Sequence, residues 1–521
     1  MGTLYWWFTI KSVIIENFRG YQTRQTIAFD QLTAFVGKND VGKSTILEAL
    51  DIFFNDGAGL ISLDVRDVNV DAKNAANGAN VDVIIGVEFS EVPDYVVLDD
   101  NNQTSLADEY LLNSEDSLTI IKHYPNAGKP KVFIYANHPS HPDCCALLHK
   151  KQTELRKLTI DIDCDHNKNA EMRKALRQQH VNELNLQMQE IDVSKEDAKN
   201  IWEKLRNYLP VYCLFQSDRS NGDKDKEVQD PLKEAIKIIF SKQEIKEKCK
   251  EIYSAVINEL EDVSSRTLNK LNEMNSHLAS TLHPTMPSSD ALKWIDVFKN
   301  VSITGDNDIP INKRGSGVKR MILLNFFRAE AERSQAERKA PGIIYAIEEP
   351  ETAQHIVHQQ IMVKSLKELA SHDSTQVVIT THSSVILKCL SFSEIRLIQD
   401  SPEGKVVETV SPSQLPYPSL NEIAYTNFGE VSEEYHDELY GHLEYENWLN
   451  DYKQGKRQFS YNQLKRDGTL MVKQLTKTEI IRHQVHHPEN QHNTRFTQEE
   501  LAQSISDMRQ FIEGKNLGRV L

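Results

Sequence analysis

Cysteine is scarce: Cys144, Cys145, Cys164, Cys213, Cys249 and Cys389 are the only six in 521 residues, and their spacing is irregular. Such a set builds no disulfide framework, and a reducing cytoplasm is the expected setting. A basic excess is also missing, since 60 Lys and Arg face 76 Asp and Glu for a formal net charge of −16. A surface that is basic throughout is excluded, which leaves DNA or RNA contact to local patches or to a partner protein. Long apolar runs are lacking too. Leu4 to Ile10 is apolar but is ended by Lys11, too short for a membrane span or a leader, and it suits the opening of a first strand. No membrane contact is expected, and no internal repeat is apparent. With 39% apolar and 26% charged residues, the chain has the composition of a globular protein with room for two or three lobes.

What is present starts with Gly37-Lys38-Asn39-Asp40-Val41-Gly42-Lys43-Ser44-Thr45. It follows the apolar run Leu32 to Val36 and opens into Thr45 to Phe54, which has helical periodicity. This is a G-x-x-x-x-G-K-[ST] phosphate loop in the strand-loop-helix setting it requires. Gly37 and Gly42 let the backbone curl so that N–H groups, those of Asn39 and Asp40 included, face a phosphate chain. Lys43 adds a point charge, Ser44 supplies a Mg²⁺ ligand, and Thr45 opens the helix whose dipole favours the anion. The expected ligands are ATP and Mg²⁺.

Three further stretches complete the pattern. Gly342 to Ala346 leads through Ile347 into Glu348-Glu349-Pro350-Glu351, a buried strand ending in acids. Glu348 falls where an acid holds Mg²⁺, and Glu349 where a carboxylate orients or deprotonates the attacking water. Gln376 to Thr381 is a second buried strand, ending at His382, which is placed to sense a γ-phosphate. Gly315-Ser316-Gly317 precedes a helix expected over Met321 to Ala331, and such a turn at a helix N-terminus binds anions.

Strand-like alternation covers residues 8–55 and recurs at Val81 to Phe89, Leu118 to Lys122 and Lys131 to Tyr135. Charged, helix-favouring stretches follow: Lys168 to Met188, Lys195 to Leu209 and Asp230 to His277, broken by the apolar island Pro210 to Phe215. The expected division is an ATPase lobe over 1–150, a helical insertion over 151–292, a second ATPase lobe over 293–411 and a helical, partner-docking region over 412–521. A hairpin is expected over Ile395 to Val410, and Thr497 to Glu500 forms a capping box before Leu501 to Ile512.

In this order the motifs resemble the ABC-type ATPases of the RecF/SMC/OLD group. Asn17-Phe18-Arg19-Gly20 and the Gly-Lys-Asn-Asp of the loop resemble the OLD-like branch. The fold class this implies is α/β, an ABC-type P-loop ATPase head carrying a helical insertion and a helical C-terminal region. The resemblance also implies a homodimer through the ATPase heads, larger assemblies remaining open, with Ser316 and Gly317 of one subunit completing the site of the other. Two positions depart from the group: Glu348, where many relatives have Asp, and Glu351 to His355, where an acid-Leu-His-Leu-His-Pro pattern is frequent. No Q-loop glutamine is assigned.

OLD nucleases carry a Toprim domain after the sensor His, built on a Glu and a later Asp-x-Asp. Nothing after His382 supplies that set, and Asp161-Ile162-Asp163-Cys164-Asp165 reads as a polar loop. The chain therefore resembles the ATPase subunit of Septu-type, two-gene antiphage systems, which work with an HNH nuclease. Relatives also occur as retron effectors, which adds a retron reverse transcriptase and its non-coding RNA to the candidate partners. Two alternatives stand beside this. Arg482 with His486 or His487 has the Arg-x(3–4)-His spacing of HEPN ribonucleases, in which Arg binds phosphate and His does acid–base work. A RecF-like DNA-repair ATPase needs a basic surface that the net charge disfavours. His138, His141, Cys144, Cys145 and His149 are zinc candidates of non-standard spacing. Arg219, in Gln216 to Ser220, suits either a nucleic-acid or subunit contact or an ordinary salt-bridged turn.

Overall fold

The structure is a computed structural model that describes residues 8–38, 41–56, 59–77, 79–92, 96–99, 102–216, 243–274, 316–402, 404–410, 419–465 and 468–520. In chain order its strands begin with β1 (Thr9–Glu16), β2 (Gln25–Ala28), β3 (Leu32–Val36) and β4 (Asp82–Ser90). A short hairpin, β5 (Val96–Asp99) and β6 (Asn102–Thr104), precedes β7 (Leu118–Pro125), β8 (Lys131–Pro139), β9 (Leu186–Asp192) and β10 (Val211–Phe215). Then come β11 (Ile343–Glu348), β12 (Thr375–Thr381), β13 (Ile395–Ser401), β14 (Gly404–Thr409), β15 (Gln458–Leu464) and β16 (Leu470–Thr476).

Two six-stranded sheets carry the α/β fold expected from the sequence. One has the order β2-β1-β4-β7-β8-β9 and is antiparallel throughout. The other has the order β10-β11-β12-β3-β13-β14 and is parallel except for its edge strand β14. The inner strands β3, β11 and β12 are buried along their whole length, which is why each carries a continuous apolar stretch rather than an alternating one. Helix α1 (Lys43–Asn55) touches β10 and β12 of the parallel sheet and β4 of the antiparallel one. Its Ile46, Leu47, Leu50 and Phe53 enter one core with residues of both sheets. The helix end is closed by a buried lysine. Lys122 Nζ donates to Phe53 O at 2.6 Å and pairs with Asp56, so a cation meets the negative end of the helix dipole.

The chain falls into two compact units, 1–217 with 330–521, and 218–329. These do not divide at 150, 292 and 411 as the sequence suggested. Backbone pairing is the reason: β9 adds to β8 and β10 adds to β11, so residues 151–217 are tied into the sheets. The helix expected over Lys168 to Met188 ends at Gln179, and β9 follows it. Residues 161–165, expected to be a polar loop, lie in the turn that follows the helix Gln152–Leu158. In the second unit the helix Gln243–Met274 runs with Ile252, Val256, Leu260 and Val263 exposed.

The last hundred residues carry more than the polar helices expected of them. They hold the hairpin β15–β16 and an apolar cluster of Tyr435, Leu439, Leu443, Ile481, Leu501, Ile505, Met508 and Ile512. The capping box at Thr497 and Glu500 is made in both directions, at 3.2 and 3.1 Å. His436 is fully buried here beside Ser504 Oγ, 3.0 Å away, and burial pushes its pKa down to about 4. The unfolded His takes a proton below about pH 6.5 while the folded one stays neutral to about pH 4. Acidification through that window therefore favours the unfolded chain. We expect thermal unfolding followed by circular dichroism to fall in temperature between pH 7 and 5, and His436→Gln to flatten that slope; an unchanged slope would argue against the assignment.

Candidate nucleotide site

The site is assembled where neighbouring parallel strands end. Register pairs Val36 at the end of β3 with Thr381 of β12, and Thr380 of β12 with Glu348 of β11. The loop after β3, the Glu348-Glu349 end of β11 and the Thr381-His382 end of β12 thus leave the sheet side by side. Ligands of open α/β sheets bind at this carboxyl edge.

In the loop, two glycines are fixed by geometry. A Cβ on Gly37 would lie 2.8 Å from Val41 Cγ1 and 2.9 Å from the Ile398 carbonyl oxygen of β13. Gly42 caps α1 with φ of 97°, a left-handed conformation that other residues adopt at a cost. Lys43 is 5% exposed and its Nζ donates to the carbonyls of Gly37 at 2.9 Å and Lys38 at 2.7 Å. The ammonium is thereby stretched back across the loop. Ser44 is partly buried and Thr45 buried in the first turn of α1. Asn39 and Asp40 lie outside the described residues.

The Asn17 to Gly20 stretch proves to be a buttress for this loop. Asn17 and Arg19 take left-handed φ of 57° and 47°. The turn brings the Tyr21 hydroxyl to donate to Gly42 O at 3.1 Å, while Arg19 pairs with Glu48 of α1 and with Asp67. Burial pushes the Tyr21 phenol up, so it remains a donor.

On the other strands, Glu348 is buried at the end of β11. Glu349 is partly exposed, and its backbone has φ of 38°. Its N–H lies 3.0 Å from Thr380 O and 3.1 Å from Thr380 Oγ1. His382 Nδ1 lies 3.2 Å from Glu349 Oε1 and 3.6 Å from Glu351 Oε1. The structure thus brings Glu349 and His382 into contact.

Glu351, which the sequence did not mark as a site residue, sits beneath them. It is 4% exposed, and its Oε1 accepts from Thr381 Oγ1 at 2.6 Å and from His382 N at 3.0 Å. One carboxylate oxygen thus holds the backbone on which His382 is mounted. Its acidic neighbours and Pro350 were the signal available. Glu351→Ala is expected to cost about 1–3 kcal/mol, because Thr381 Oγ1 and His382 N lose their buried acceptor. Glu351→Gln retains an acceptor oxygen and should recover most of that loss in chemical denaturation; equal losses would mean that the carboxylate is not the anchor.

Ser316 and Gly317 are the first residues of the helix Ser316–Arg338 and belong to the second unit. Asp161, Asp163 and Asp165 are exposed in a turn, and Arg219 lies outside the described residues. No helix among the described residues is long and apolar enough to cross a membrane.

Phosphate loop, acid-tipped strand and parallel sheet together define a P-loop ATPase head. The profile described as AAA ATPase domain matches residues 9–387, and the chain belongs to that family. Membership implies nucleotide binding. No curated protein matches the chain. Solved structures similar to it include an SMC head bound to the C-winged-helix domain of ScpA, at 14% identity and TM-score 0.34, covering 78% of this chain and 98% of that one. Another is the SMC head domain from Thermotoga maritima, at 12% identity and TM-score 0.32, with 77% and 99% covered. A third is an Smc head with an extended coiled coil bound to the C-terminal domain of ScpA, derived from Pyrococcus furiosus, at 14% identity and TM-score 0.33, with 81% and 99% covered. At such scores these structures carry no weight in the assignment, which rests on the family match and the site.

Proposed function

We propose that the chain is the ATP-binding and hydrolysing subunit of a PtuA-like, Septu-type antiphage system, whose nucleotide state controls a partner HNH nuclease. The observation that carries the ATPase part is the meeting of Gly37 to Thr45, Glu348-Glu349 and His382 at one sheet edge. The pinched Gly37, left-handed Gly42 and buried Lys43 fit a triphosphate. Ser44 and Glu348 would hold Mg²⁺, which supplies charge neutralisation on the phosphates when bound. Glu349 takes the proton of the attacking water, His382 reads the terminal phosphate, and Glu351 positions His382. Ser316 and Gly317 serve the nucleotide of a second copy, which makes the head a homodimer.

The C-terminal region supports the docking part. Arg482 pairs with Asp437 and Glu444, and His486 Nε2 lies 2.8 Å from Asp437 Oδ1. These contacts fasten the helix Lys477–His486 to Glu433–Tyr445 and occupy the arginine that a ribonuclease would spend on phosphate. The HEPN-like reading keeps only the closeness of Arg482 and His486, which share the Asp437 carboxylate. Co-expression with the HNH protein encoded beside this chain tests both. A complex whose nuclease is silent with ATP and active on its depletion is the expected result. RNA cleavage by the purified chain alone, lost in His486→Ala or His487→Ala, would overturn it in favour of an intrinsic ribonuclease.

A further inference from the structure

The five zinc candidates of residues 138–149 do not form one cluster. His138 is buried, with Nδ1 2.8 Å from the Tyr110 carbonyl oxygen, and burial holds its pKa near about 4. Cys144 is buried among Leu147, Leu155, Met172 and Leu176. His149 Nε2 is 2.6 Å from Asp192 O, and Cys145 is exposed with Sγ 3.6 Å from the Pro142 carbonyl. His141 is left, and it has acquired new neighbours. Its ring stacks on that of His180 with centroids 4.3 Å apart. One ligand atom from each of His141, Asp143 and His180 falls within 4.8 Å of the others.

From this geometry we propose that His141, Asp143 and His180 form a zinc site, separate from the nucleotide site and with Glu183 as a candidate fourth ligand. Glu183 Oε2 lies 3.8 Å from His141 Nε2. The two loops that carry the ligands are fastened together. Leu184 O accepts from Ser140 N at 3.0 Å and from His141 N at 3.3 Å, and Ser140 Oγ donates to Asn185 O at 2.7 Å. His141 O in turn accepts from Cys144 N and Cys145 N, both at 2.9 Å, and His180 O from Glu183 N at 2.8 Å. Leu184 is buried beneath, in the cluster that holds Cys144. The backbone is therefore set before any metal arrives, and only side chains have to turn. Bond lengths of about 2.0–2.2 Å in a tetrahedral zinc site put ligand atoms roughly 3.3 Å apart, a closure within reach of an exposed aspartate and two partly exposed imidazoles. Two imidazoles with carboxylates suit a borderline cation such as zinc better than Mg²⁺, which takes oxygen.

The test uses the full chain, stripped with chelator and titrated with zinc chloride under excess Mg²⁺, so that the oxygen-ligated site is saturated. Calorimetry and elemental analysis after dialysis are expected to give one zinc per chain, and cobalt(II) in its place the visible absorption of a four-coordinate ion. His180→Ala and Asp143→Asn, both outside the apolar cluster, should each weaken zinc at least tenfold while leaving the thermal unfolding of the stripped protein unchanged. Cys145→Ser should bind as the wild type does. A wild-type chain that retains no zinc, or zinc that is lost in Cys145→Ser and kept in His180→Ala, would overturn the proposal.

Discussion

Lys43→Ala is expected to abolish nucleotide binding, measured by calorimetry with ATP and Mg²⁺. In the structure its ammonium spans the loop and meets the Gly37 and Lys38 carbonyls at 2.9 and 2.7 Å. Each charge-assisted hydrogen bond to a phosphate contributes about 1.5–3 kcal/mol, and every 1.4 kcal/mol is about tenfold in affinity. Removing the cation also leaves two inward-facing carbonyls without their donor, so the loop opens and its N–H groups lose their common aim. The expected fall in affinity is on the order of 100-fold or more. A variant that binds ATP within about threefold of wild type would show that the loop holds nucleotide without its lysine.

Glu349→Gln is expected to separate binding from turnover. The amide keeps the shape and loses the base, so hydrolysis should fall by about 10²–10⁴ while ATP stays bound. Because the second copy is proposed to close over that nucleotide, the variant should elute as a stable dimer in ATP and Mg²⁺ and dissociate when they are removed. His382 Nδ1 lies 3.2 Å from the Glu349 carboxylate, so loss of charge there also loosens the contact between water-activating and phosphate-sensing groups. Turnover at the wild-type rate would remove Glu349 from the mechanism and point to another carboxylate.

The parts of the site that were legible in the sequence are those whose chemistry forces residue type. The phosphate loop needs Gly37 because nothing larger fits between Val41 and Ile398, and Gly42 because its φ is left-handed. Strands β3, β11 and β12 stood out because burial on both faces gives each an unbroken apolar stretch, Ala34 to Val36, Ile343 to Ile347 and Val377 to Ile379. Glu351 was missed because a carboxylate three residues beyond a strand reads as solvated, and only the fold shows that Thr381 and His382 close over it. Strand β9 was hidden for the opposite reason: Leu186 to Asp192 is a polar edge, exposed along most of its length, and has no apolar period to read. The β15–β16 hairpin left a weak sign at Asp467-Gly468, with Gly468 at φ of 81°, but its strands lie mostly outside the core and show no clean alternation of apolar and polar residues. His180 is 39 positions from His141 in the chain, and only their loop pairing makes them neighbours.

The position of β3 sets an order of events during synthesis. The antiparallel sheet is drawn from residues 9–192 and can close on itself early. Strand β3 cannot, because its neighbours on both sides are β12 and β13, made more than three hundred residues later. Gln376 then bonds the Ile10 backbone in both directions, at 2.8 and 2.9 Å, linking the late strand to the first. The phosphate loop is thus among the earliest parts translated and among the last to be given its shape. Loop closure over such a separation is slow compared with local pairing. The sheet that frames the phosphate loop therefore cannot be completed until the chain through Ser401 has been made.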